Sequence, residues 1–488
     1  MKPPMNADER RYKPKSSSAF ICVHLRFLAL AAIAAVAAQQ PDITLKIVGA
    51  RGRVKIAVPE FRGTGVSPEV NTAFNATLWS DLEGSGVFEM AAKSFYPQEA
   101  PTRPEELKPP RRPPPPPAKK LKKGEKPPPL PEPIRQGPWL TDWSQPPVQA
   151  QVLAFGSTEV SQGRLALSGW LYDVTKGEIS AAHVFGKRYL SDNDVEGARR
   201  LAHEFSTDIM QKLGAGKGMA GSRVYFVSNR TGSKEIWVMD HDGSNQRALT
   251  QYGSLSMSPE ISVDGSLVAF TTFARGNPSI FIHSLETNRR LTFYNQVASL
   301  NATPSFSPDG ANVAFSSSTS GRAQIYVANL DGGNLRRVSH SLAVEMEPKF
   351  NPKTGSQIAF VSGRSGPPQI YLMDAEGTNV RRLTEGEGDA VNPAWSPDGQ
   401  RIAFAWTRGF EPGNYNIFIL EVATGALTQL TFGAGRNEHP SWAPDGRHVV
   451  FASNREGGTQ IWTMLADGTQ PKKVTTQGRN EQPVWGVK

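Results

Sequence analysis

The sequence predicts a mainly β protein, with a six-bladed β-propeller in its C-terminal part and a small α/β domain before it. One observation is a unit of four short strands opened by a proline, and successive prolines are spaced by 45, 44, 45, 47 and 43 residues. These prolines are Pro259, Pro304, Pro348, Pro393, Pro440 and Pro483. A second is a constant separation of ten residues between the phenylalanine of strand b and the isoleucine of strand c, as in Phe451 and Ile461, in five of six units. A period of about 40–50 residues with four strands per unit is typical of a propeller.

Tight turns separate the strands of each unit. In Ser307-Pro308-Asp309-Gly310, proline suits the second position of a type I turn and glycine takes the left-handed position that restores strand pairing. Asp-Gly pairs recur elsewhere, but the spaced acids of a calcium loop are missing, so we interpret the pairs as turns.

The number of units predicts how the ring closes. Six strands b are expected, beginning at Arg223, Leu267, Asn312, Gln357, Arg401 and His448. The first unit has no strand a before it, whereas the C-terminal residues 480–485 match strand a of the last unit, residues 437–442. We therefore expect a propeller over residues 221–488, closed by its last strand, which removes an open sheet edge.

Residues 39–216 are predicted to form the α/β domain. Ser67-Pro68-Glu69 has the composition of a helix start, and apolar residues from Val195 to Leu213 follow helical spacing. Strands are expected at residues 43–48, 54–58, 151–155, 164–174 and 179–189. We expect His203 and Glu204 to be solvated helix residues, because no third partner for a catalytic pair is evident.

A proline-rich segment, residues 97–138, interrupts this domain. It holds 16 of the 39 prolines, including five in a row at Pro113 to Pro117. Such a run is expected to be a disordered, solvated polyproline insertion, although docking to a proline-recognising groove remains open. We expect its deletion to leave the fold intact.

The distribution of charge argues against nucleic-acid binding. The net charge is +9, but residues 1–38 and 97–138 supply all of it, so the remaining chain is neutral. A basic face for phosphates is therefore not indicated.

Residues 1–38 have the pattern of an export signal. Arg10 and Arg11 lie in a basic start, an apolar run follows, and Ala35-Val36-Ala37 offers a cleavage site. A retained membrane anchor is the alternative, but it would bury His24 and Arg26. Cys22, the single cysteine, lies inside this segment, so no disulfide is expected in the mature chain.

The repeats resemble those of a known family. Residues 304–339 and 393–404 are similar to TolB-like propeller repeats, and residues 213–250 are similar to the domain junction and first blade of that family. The resemblance covers residues 43–96 and 139–488. The proline-rich segment departs from the family pattern, as do the turn at residues 262–265 and the sequence at 351–355.

The resemblance implies a periplasmic, non-enzymatic adaptor of the Tol–Pal system that supports outer-membrane integrity and cell division. Family members bind the lipoprotein Pal through the propeller mouth and TolA through the mature N-terminus, here Gln39, Gln40, Pro41, Asp42, Ile43, Thr44 and Leu45. A monomer without cofactor, metal or nucleic acid is expected, not membrane-spanning after cleavage. The alternative is a propeller domain of a peptidase-like or lactonase-like hydrolase. No hydrolase motif is present, and a lactonase-like metal site would need mouth carboxylates such as Glu345, Glu347, Glu438 and Glu481.

The strand order predicts which residues surround the mouth. The loops from strand d to strand a and from b to c should share one end of the ring, which we call the mouth face, and the a–b and c–d turns the other, the turn face. The candidate partner-binding residues at the mouth are Met257, Ser258, Thr303, Met346, Glu347, Asn392, Trp406, Phe410, Tyr415, Glu438, His439, Glu481 and Gln482. Aromatics with polar neighbours are typical of binding hot spots, although these rings can instead pack on their own loop. The α/β domain is expected at the turn face, and replacing Glu347, His439 or Tyr415 is expected to weaken Pal binding.

Overall fold

The computed structural model describes residues 53–109, 134, 137–216, 218–433 and 435–487. The predicted signal segment, the strand expected at residues 43–48 and the N-terminal residues 39–45 lie outside the described residues. The described residues all belong to one compact unit. No helix in the described ranges has the length and apolar character needed to cross a membrane.

The α/β domain is a six-stranded mixed sheet with helices. Its strands are β1 (Val54–Ala57), β2 (Arg62–Thr64), β3 (Phe88–Met90), β4 (Val152–Ser161), β5 (Arg164–Asp173) and β6 (His183–Asp192). The helices are α1 (Pro68–Gly84), α2 (Thr141–Ser144), α3 (Ile179–Ala182) and α4 (Val195–Lys212), with 3₁₀ turns at Lys93–Phe95 and Pro104–Glu106. The strand order is β3-β1-β4-β5-β6, with β2 beside β4. Strand β1 runs parallel to β3 and β4, whereas β4, β5 and β6 are antiparallel.

Both long helices begin where the sequence predicts, and a side chain caps the start of each. Ser67 Oγ accepts a hydrogen bond from Val70 N at 3.3 Å, and Asp194 Oδ1 accepts one from Gly197 N at 2.6 Å. These bonds satisfy donors that have no partner within the helix. One expectation is wrong: residues 179–182 form a helical turn, and the strand predicted from Ile179 begins only at His183.

The two faces of this sheet carry different apolar clusters. On one face, α1 and α4 pack over Ile56 and its neighbours. On the other, Ala57 and Phe155 contact Trp143 of α2 and Leu107, which is 3% exposed. The alternation follows from the two-residue period of a strand.

The start of the proline-rich segment is therefore not disordered. Residues 97–109 are described, and Leu107 anchors them in the second apolar cluster. Lys108 N donates to Pro138 O at 3.3 Å, so the two ends of the segment lie together. The expectation of a disordered, solvated insertion is wrong for residues 97–109, because Leu107 is buried in the core.

Six four-stranded antiparallel sheets form the propeller. The strands in chain order are β7 (Arg223–Thr231), β8 (Ser233–Asp240), β9 (Arg247–Ala248), β10 (Ser256–Ile261), β11 (Leu267–Thr272), β12 (Ser279–Ser284), β13 (Arg290–Leu291), β14 (Asn301–Phe306), β15 (Asn312–Ser317), β16 (Gln324–Asn329), β17 (Arg336–Arg337), β18 (Glu345–Phe350), β19 (Gln357–Ser362), β20 (Gln369–Asp374), β21 (Arg381–Arg382), β22 (Ala390–Trp395), β23 (Arg401–Trp406), β24 (Asn416–Glu421), β25 (Leu427–Gln429), β26 (Asn437–Trp442), β27 (His448–Ser453), β28 (Gln460–Leu465), β29 (Lys472–Lys473) and β30 (Asn480–Gly486). All six predicted starts of strand b are confirmed. Apolar side chains fill the space between neighbouring sheets, as where Ile370 packs with Phe404 and Trp395.

The C-terminal strand closes the ring as predicted. Strand β30 pairs antiparallel with β7, with Trp485 opposite Val224. Trp485 is 6% exposed, and its Nε1 donates to Ser222 Oγ at 2.8 Å. Without β30, the side of β7 that faces the channel would be an unpaired edge.

The α/β domain docks on the turn face, as expected. Arg447, in the a–b turn before β27, donates from Nη1 to Ala215 O at 2.6 Å and from Nε to Ser85 O at 3.3 Å. His448 Nε2 lies 2.7 Å from Gly84 O. These carbonyls stand at the C-terminal ends of α4 and α1, where helix carbonyls lack internal partners and favour positive charge. Gly86 has φ 71°, and a Cβ there would lie 2.8 Å from Leu465, so the joint requires glycine.

Candidate functional site

A ring of six residues surrounds the central channel of the propeller. Each is the third residue of its strand a and adopts positive φ, between 50° and 56°, at a bulge in the strand. They are Ser258, Thr303, Glu347, Asn392, His439 and Gln482, and all are half-buried. These candidates were expected in d–a loops. The structure places them inside the strands instead, because in each strand a the residue before the repeated proline forms the bulge.

Hydrogen bonds pass from blade to blade around this ring. Glu347 Oε2 accepts from Asn392 N at 2.7 Å, and Asn392 Oδ1 accepts from His439 N at 3.3 Å. Likewise Thr303 Oγ1 accepts from Glu347 N at 3.3 Å, and Gln482 Oε1 accepts from Ser258 N at 2.7 Å. The polar side chains thus satisfy the backbone donors that the bulges expose to the channel.

Burial shifts the pKa of both titratable ring members toward the neutral form. Burial raises the pKa of Glu347, although hydrogen bonds from Asn392 and the charge of Lys349 oppose the shift. Burial lowers the pKa of His439 to about 4 against the charge of Glu481, so this imidazole is neutral at ordinary pH.

Below the ring, an ion pair crosses the channel. Lys349 Nζ donates to a carboxylate oxygen of Glu260, and the two residues belong to blades that are not neighbours. The channel encloses about 340 Å³ and is lined toward the turn face by Trp395, Trp442 and Trp485.

Charged residues form the rim above the ring. Arg436 Nε lies 2.6 Å from Glu438 Oε2, and Arg479 Nε lies 3.2 Å from Glu481 Oε2. Lys234 pairs with the same Glu481. Burial raises the pKa of Glu438 despite Arg436, and the neighbouring Glu481 adds to the shift. With Met257, these side chains line a rim cavity of about 280 Å³.

The three predicted aromatic residues separate into two groups. Trp406 is 1% exposed and packs against Phe404 and Phe418 in the sheet, so its assignment to a binding surface is wrong. It is the last residue of β23 and its ring turns into the interblade core. Phe410 and Tyr415 remain half-buried in the b–c loop. Phe410 borders a surface cavity of about 620 Å³, and Arg436 lies over the Tyr415 ring at 5.5 Å.

Glu345 and Met346 also depart from a simple exposed mouth. Met346 is half-buried beside the ring. Glu345 is fully buried, and its Oε1 accepts from Ser362 Oγ at 2.9 Å and pairs with Arg364. Burial alone would raise the pKa of Glu345, but hydrogen bonds from Ser339, Arg364 and Ser362 lower it. Through Oε1 this carboxylate links strand β18 to the end of β19 and to Arg364 in the loop that follows.

Sequence reasoning missed the exposed apolar residues of the mouth face. Four of them project from d–a loops: Val297 (94% exposed), Leu342 (89%), Val344 (52%) and Phe432 (72%). Exposed apolar side chains in one region mark interaction sites. The sequence indicated these residues in one way: each is an isolated Leu, Val or Phe among polar residues of an irregular loop. Only the fold brings these loops to one end of the ring.

His203 is not solvated as expected. Its Nδ1 lies 2.7 Å from Asp81 Oδ2, and its side chain is 14% exposed. Glu204, the next residue, is exposed as expected. The expectation for His203 failed because Asp81 lies 122 residues away in the chain, on α1, which packs against α4.

The mouth carboxylates do not assemble a metal site in the described part of the chain. There, the group of acidic and histidine side chains close enough to hold an ion is Asp81, His203 and His241, at the domain joint. Glu345, Glu438 and Glu481 are instead engaged by arginine or lysine.

Comparisons with known proteins agree with this architecture. A family model described as "TolB beta propeller domain" matches residues 210–392 and 384–488. The crystal structure of TolB from Acinetobacter baumannii superposes with a TM-score of 0.70 at 22% identity, covering 90% of this chain and 97% of that one. This likeness supports the two-domain fold.

Curated relatives match over shorter stretches. A "Protein TolB homolog" of Chlorobium chlorochromatii is 38% identical over 136 residues, which is 28% of this chain and 30% of the relative. A "Tol-Pal system protein TolB" of Desulfosudis oleivorans is 32% identical over 249 residues, 49% of this chain and 48% of the relative. The chain thus spans between about a third and a half of the length of these relatives.

Proposed function

Because this chain belongs to the TolB β-propeller family, we propose that it is the propeller component of a Tol–Pal cell-envelope system. In this proposal it works in the periplasm as a non-enzymatic adaptor that supports outer-membrane integrity and cell division. The names of the curated relatives support the assignment. The placement of the polar groups at the mouth, which are occupied by hydrogen bonds and ion pairs, supports recognition over catalysis.

The mouth face is the proposed docking site for the lipoprotein Pal. One observation carries this proposal: exposed Leu342, Val344, Val297 and Phe432 stand in d–a loops at the same end as the charged rim. Apolar anchors beside charged pairs are the composition of a protein interface. The α/β domain occupies part of the opposite end through Arg447 and His448, which leaves the mouth free.

Binding of TolA is assigned to the N-terminal residues 39–45. This assignment follows from the family resemblance, and these residues lie outside the described part. It is separable from Pal binding, because the two assignments concern different segments of the chain.

Substitutions at the mouth test the Pal assignment. We expect Leu342→Ser and Phe432→Ser each to weaken binding of a soluble Pal domain at least about tenfold, the loss expected when an apolar anchor worth more than about 1.4 kcal/mol is removed. Thermal unfolding should remain unchanged, because both side chains are exposed. Calorimetric titration gives the affinities.

The matched control is Val263→Ser, which removes an exposed apolar residue (47%) from a turn at the opposite end. It should leave Pal affinity unchanged. Tyr415→Ala should give a smaller loss than Phe432→Ser, because the Tyr415 ring is half-buried. If Val263→Ser weakens Pal binding and the mouth variants do not, the mouth assignment is wrong. Removal of residues 39–45 should weaken TolA binding alone.

A further inference from the structure

Three side chains with metal-binding chemistry meet where the α/β domain joins the propeller. Asp81 comes from α1, His203 from α4, and His241 from the turn after β8. His203 Nδ1 lies 2.7 Å from Asp81 Oδ2, and His241 Nε2 lies 3.4 Å from Asp81 Oδ1. One ligand atom from each residue can be chosen so that all lie within 4.8 Å of one another.

The separations suit a small divalent ion. Tetrahedral zinc, with bonds of about 2.0–2.1 Å to imidazole nitrogen and carboxylate oxygen, places its ligand atoms about 3.3 Å apart. The observed separations from Asp81 oxygens, 2.7 Å to His203 Nδ1 and 3.4 Å to His241 Nε2, lie on either side of this value. Two imidazoles and one carboxylate form a borderline-soft ligand set that favours Zn²⁺, Co²⁺ or Ni²⁺ over Ca²⁺ or Mg²⁺.

His241 provides a second, independent observation. This residue is 7% exposed, and its Nδ1 has no hydrogen-bond partner among the described residues. Its ring packs edge-on to that of His203, with centroids 5.0 Å apart. A buried ring nitrogen without a partner is costly, so the described protein contacts leave the His241 imidazole incompletely satisfied.

A nearby histidine shows how the joint treats an imidazole with a purely structural role. His448 lies at the same joint, but both ring nitrogens are engaged, Nδ1 by Asp445 at 2.8 Å and Nε2 by Gly84 O at 2.7 Å. His448 shows that a histidine buried at this joint can have both ring nitrogens hydrogen-bonded. Burial at the joint therefore does not by itself explain why His241 Nδ1 has no partner among the described residues.

The surrounding charge favours a cation. Asp240 and Asp242 flank His241 in the chain, and both carboxylates act on His203. Asp242 accepts hydrogen bonds from Ser244, which holds it beside the cluster. Ser206 Oγ donates to Asp81 Oδ2 at 2.8 Å and orients the carboxylate, as partners of metal ligands usually do.

We propose that Asp81, His203 and His241 bind one divalent transition-metal ion, of which Zn²⁺ is the representative, and that this ion links the α/β domain to the propeller. Two ligands belong to the first domain and one to the second, so a bound ion holds both. The partial exposure of His203 leaves room for a water molecule as fourth ligand. Such an ion would raise the stability of the joint in proportion to its affinity for the docked state.

Metal titration of the full-length, untagged chain tests the proposal. All proteins carry Cys22→Ser, so that the thiol does not bind metal, and are treated with chelator before titration. At mildly alkaline pH, where imidazoles are neutral, Zn²⁺ and Co²⁺ should each saturate at one equivalent at micromolar concentration. Bound Co²⁺ should show the visible absorption of a four-coordinate site, and Zn²⁺ should raise the Tm.

The variants Asp81→Asn, His203→Gln and His241→Gln should each bind at least about 100-fold more weakly, since even partners of metal ligands contribute about 10–100-fold. The matched control is His340→Gln, which removes an exposed histidine of the propeller and should leave binding unchanged. If no saturable binding occurs, or if the three variants bind as the parent does, the cluster is only a hydrogen-bonded joint and the proposal is overturned.

If a variant fails to fold, X-ray absorption of the Zn²⁺-loaded parent still tests the proposal, because it identifies the ligands of the bound ion directly. Two imidazoles in the first coordination shell support the proposal. A shell of oxygen ligands only, or a single imidazole, overturns it. Neither result depends on whether the chain binds Pal.

Discussion

The two ends of the propeller are built from the same repeat but differ in regularity. On the turn face, prolines and Asp-Gly pairs recur in nearly every blade, and Gly243, Gly310 and Gly468 all have positive φ, between 69° and 92°. On the mouth face, each loop has its own length and composition, and several expose an apolar side chain. A uniform turn needs only to reverse the chain, whereas irregular loops around a channel provide a surface that another protein can distinguish.

The regular end nevertheless carries one specialised position. Arg447 occupies the place in its a–b turn that Gln400 occupies in the preceding blade. Gln400 is exposed, but Arg447 donates to the ends of two helices. A single substitution in a repeated turn is therefore sufficient to create a docking point for a second domain.

The largest effect is expected from removing β30, the strand that runs from the mouth face to the turn face of the first blade. Truncation of residues 480–488 takes away β30, which spans the first blade from mouth to turn face and buries Trp485. The free energy of unfolding should fall by more than about 5 kcal/mol, comparable with the whole stability of many domains, and the exposed edge should promote aggregation. Removal of Val487 and Lys488 alone is the control. An unchanged denaturation curve for the longer truncation would exclude closure by this strand.

The next largest effect is expected at the turn face, where Arg447 and Gln400 occupy matched positions in two a–b turns. Arg447→Ala should lower the free energy of unfolding by about 3 kcal/mol, because charge-assisted hydrogen bonds to Ser85 and Ala215 are lost and their carbonyls are left unpaired. Gln400→Ala, at the matched position, should change it by less than about 0.5 kcal/mol. Equal effects in urea denaturation would mean that the arginine has no docking role.

A smaller, pH-dependent effect is expected at the mouth. Because the pKa of folded Glu345 is lowered, its stabilisation is complete above the ordinary glutamate pKa and is lost as pH falls through the folded value. Glu345→Gln should therefore lower the free energy of unfolding by about 2 kcal/mol at neutral pH, and the difference from the parent should shrink on acidification.

Urea denaturation at a series of pH values measures this difference. Glu387→Gln, which neutralises an exposed glutamate of a neighbouring d–a loop, is the control. A difference between Glu345→Gln and the parent that is the same at every pH would contradict the role given to the ion pair with Arg364.

The smallest effect is expected from changing the proline-rich segment of the α/β domain. Replacing residues 110–136 by a short Gly-Ser link should change the Tm by less than about 2 °C, because Leu107 is retained and Lys108 already meets Pro138. Deletion of the whole segment predicted from the sequence, residues 97–138, is the comparison. It also removes Leu107 and should lower the Tm by several degrees. Equal melting temperatures for the two deletions would mean that Leu107 contributes little to the core.

The sequence by itself determined the repeat, the number of blades, the strand starts and the closure by residues 480–486. These features depend on local turn chemistry and on strand periodicity, both of which are visible in one dimension. It also predicted the helix start at Ser67, since a cap and its helix are neighbours in the chain, and the helix from Val195 by its apolar spacing.

The tertiary structure alone decided which mouth residues are available and which side chains meet. Trp406 has the composition of a binding residue, but its position at the end of β23 directs it into the core. Asp81, His203 and His241 are separated by 122 and 38 residues, and the packing of α1 on α4 and of both on the propeller brings them together. Contacts between distant segments depend on how whole elements pack, and no local pattern of residue types records that packing.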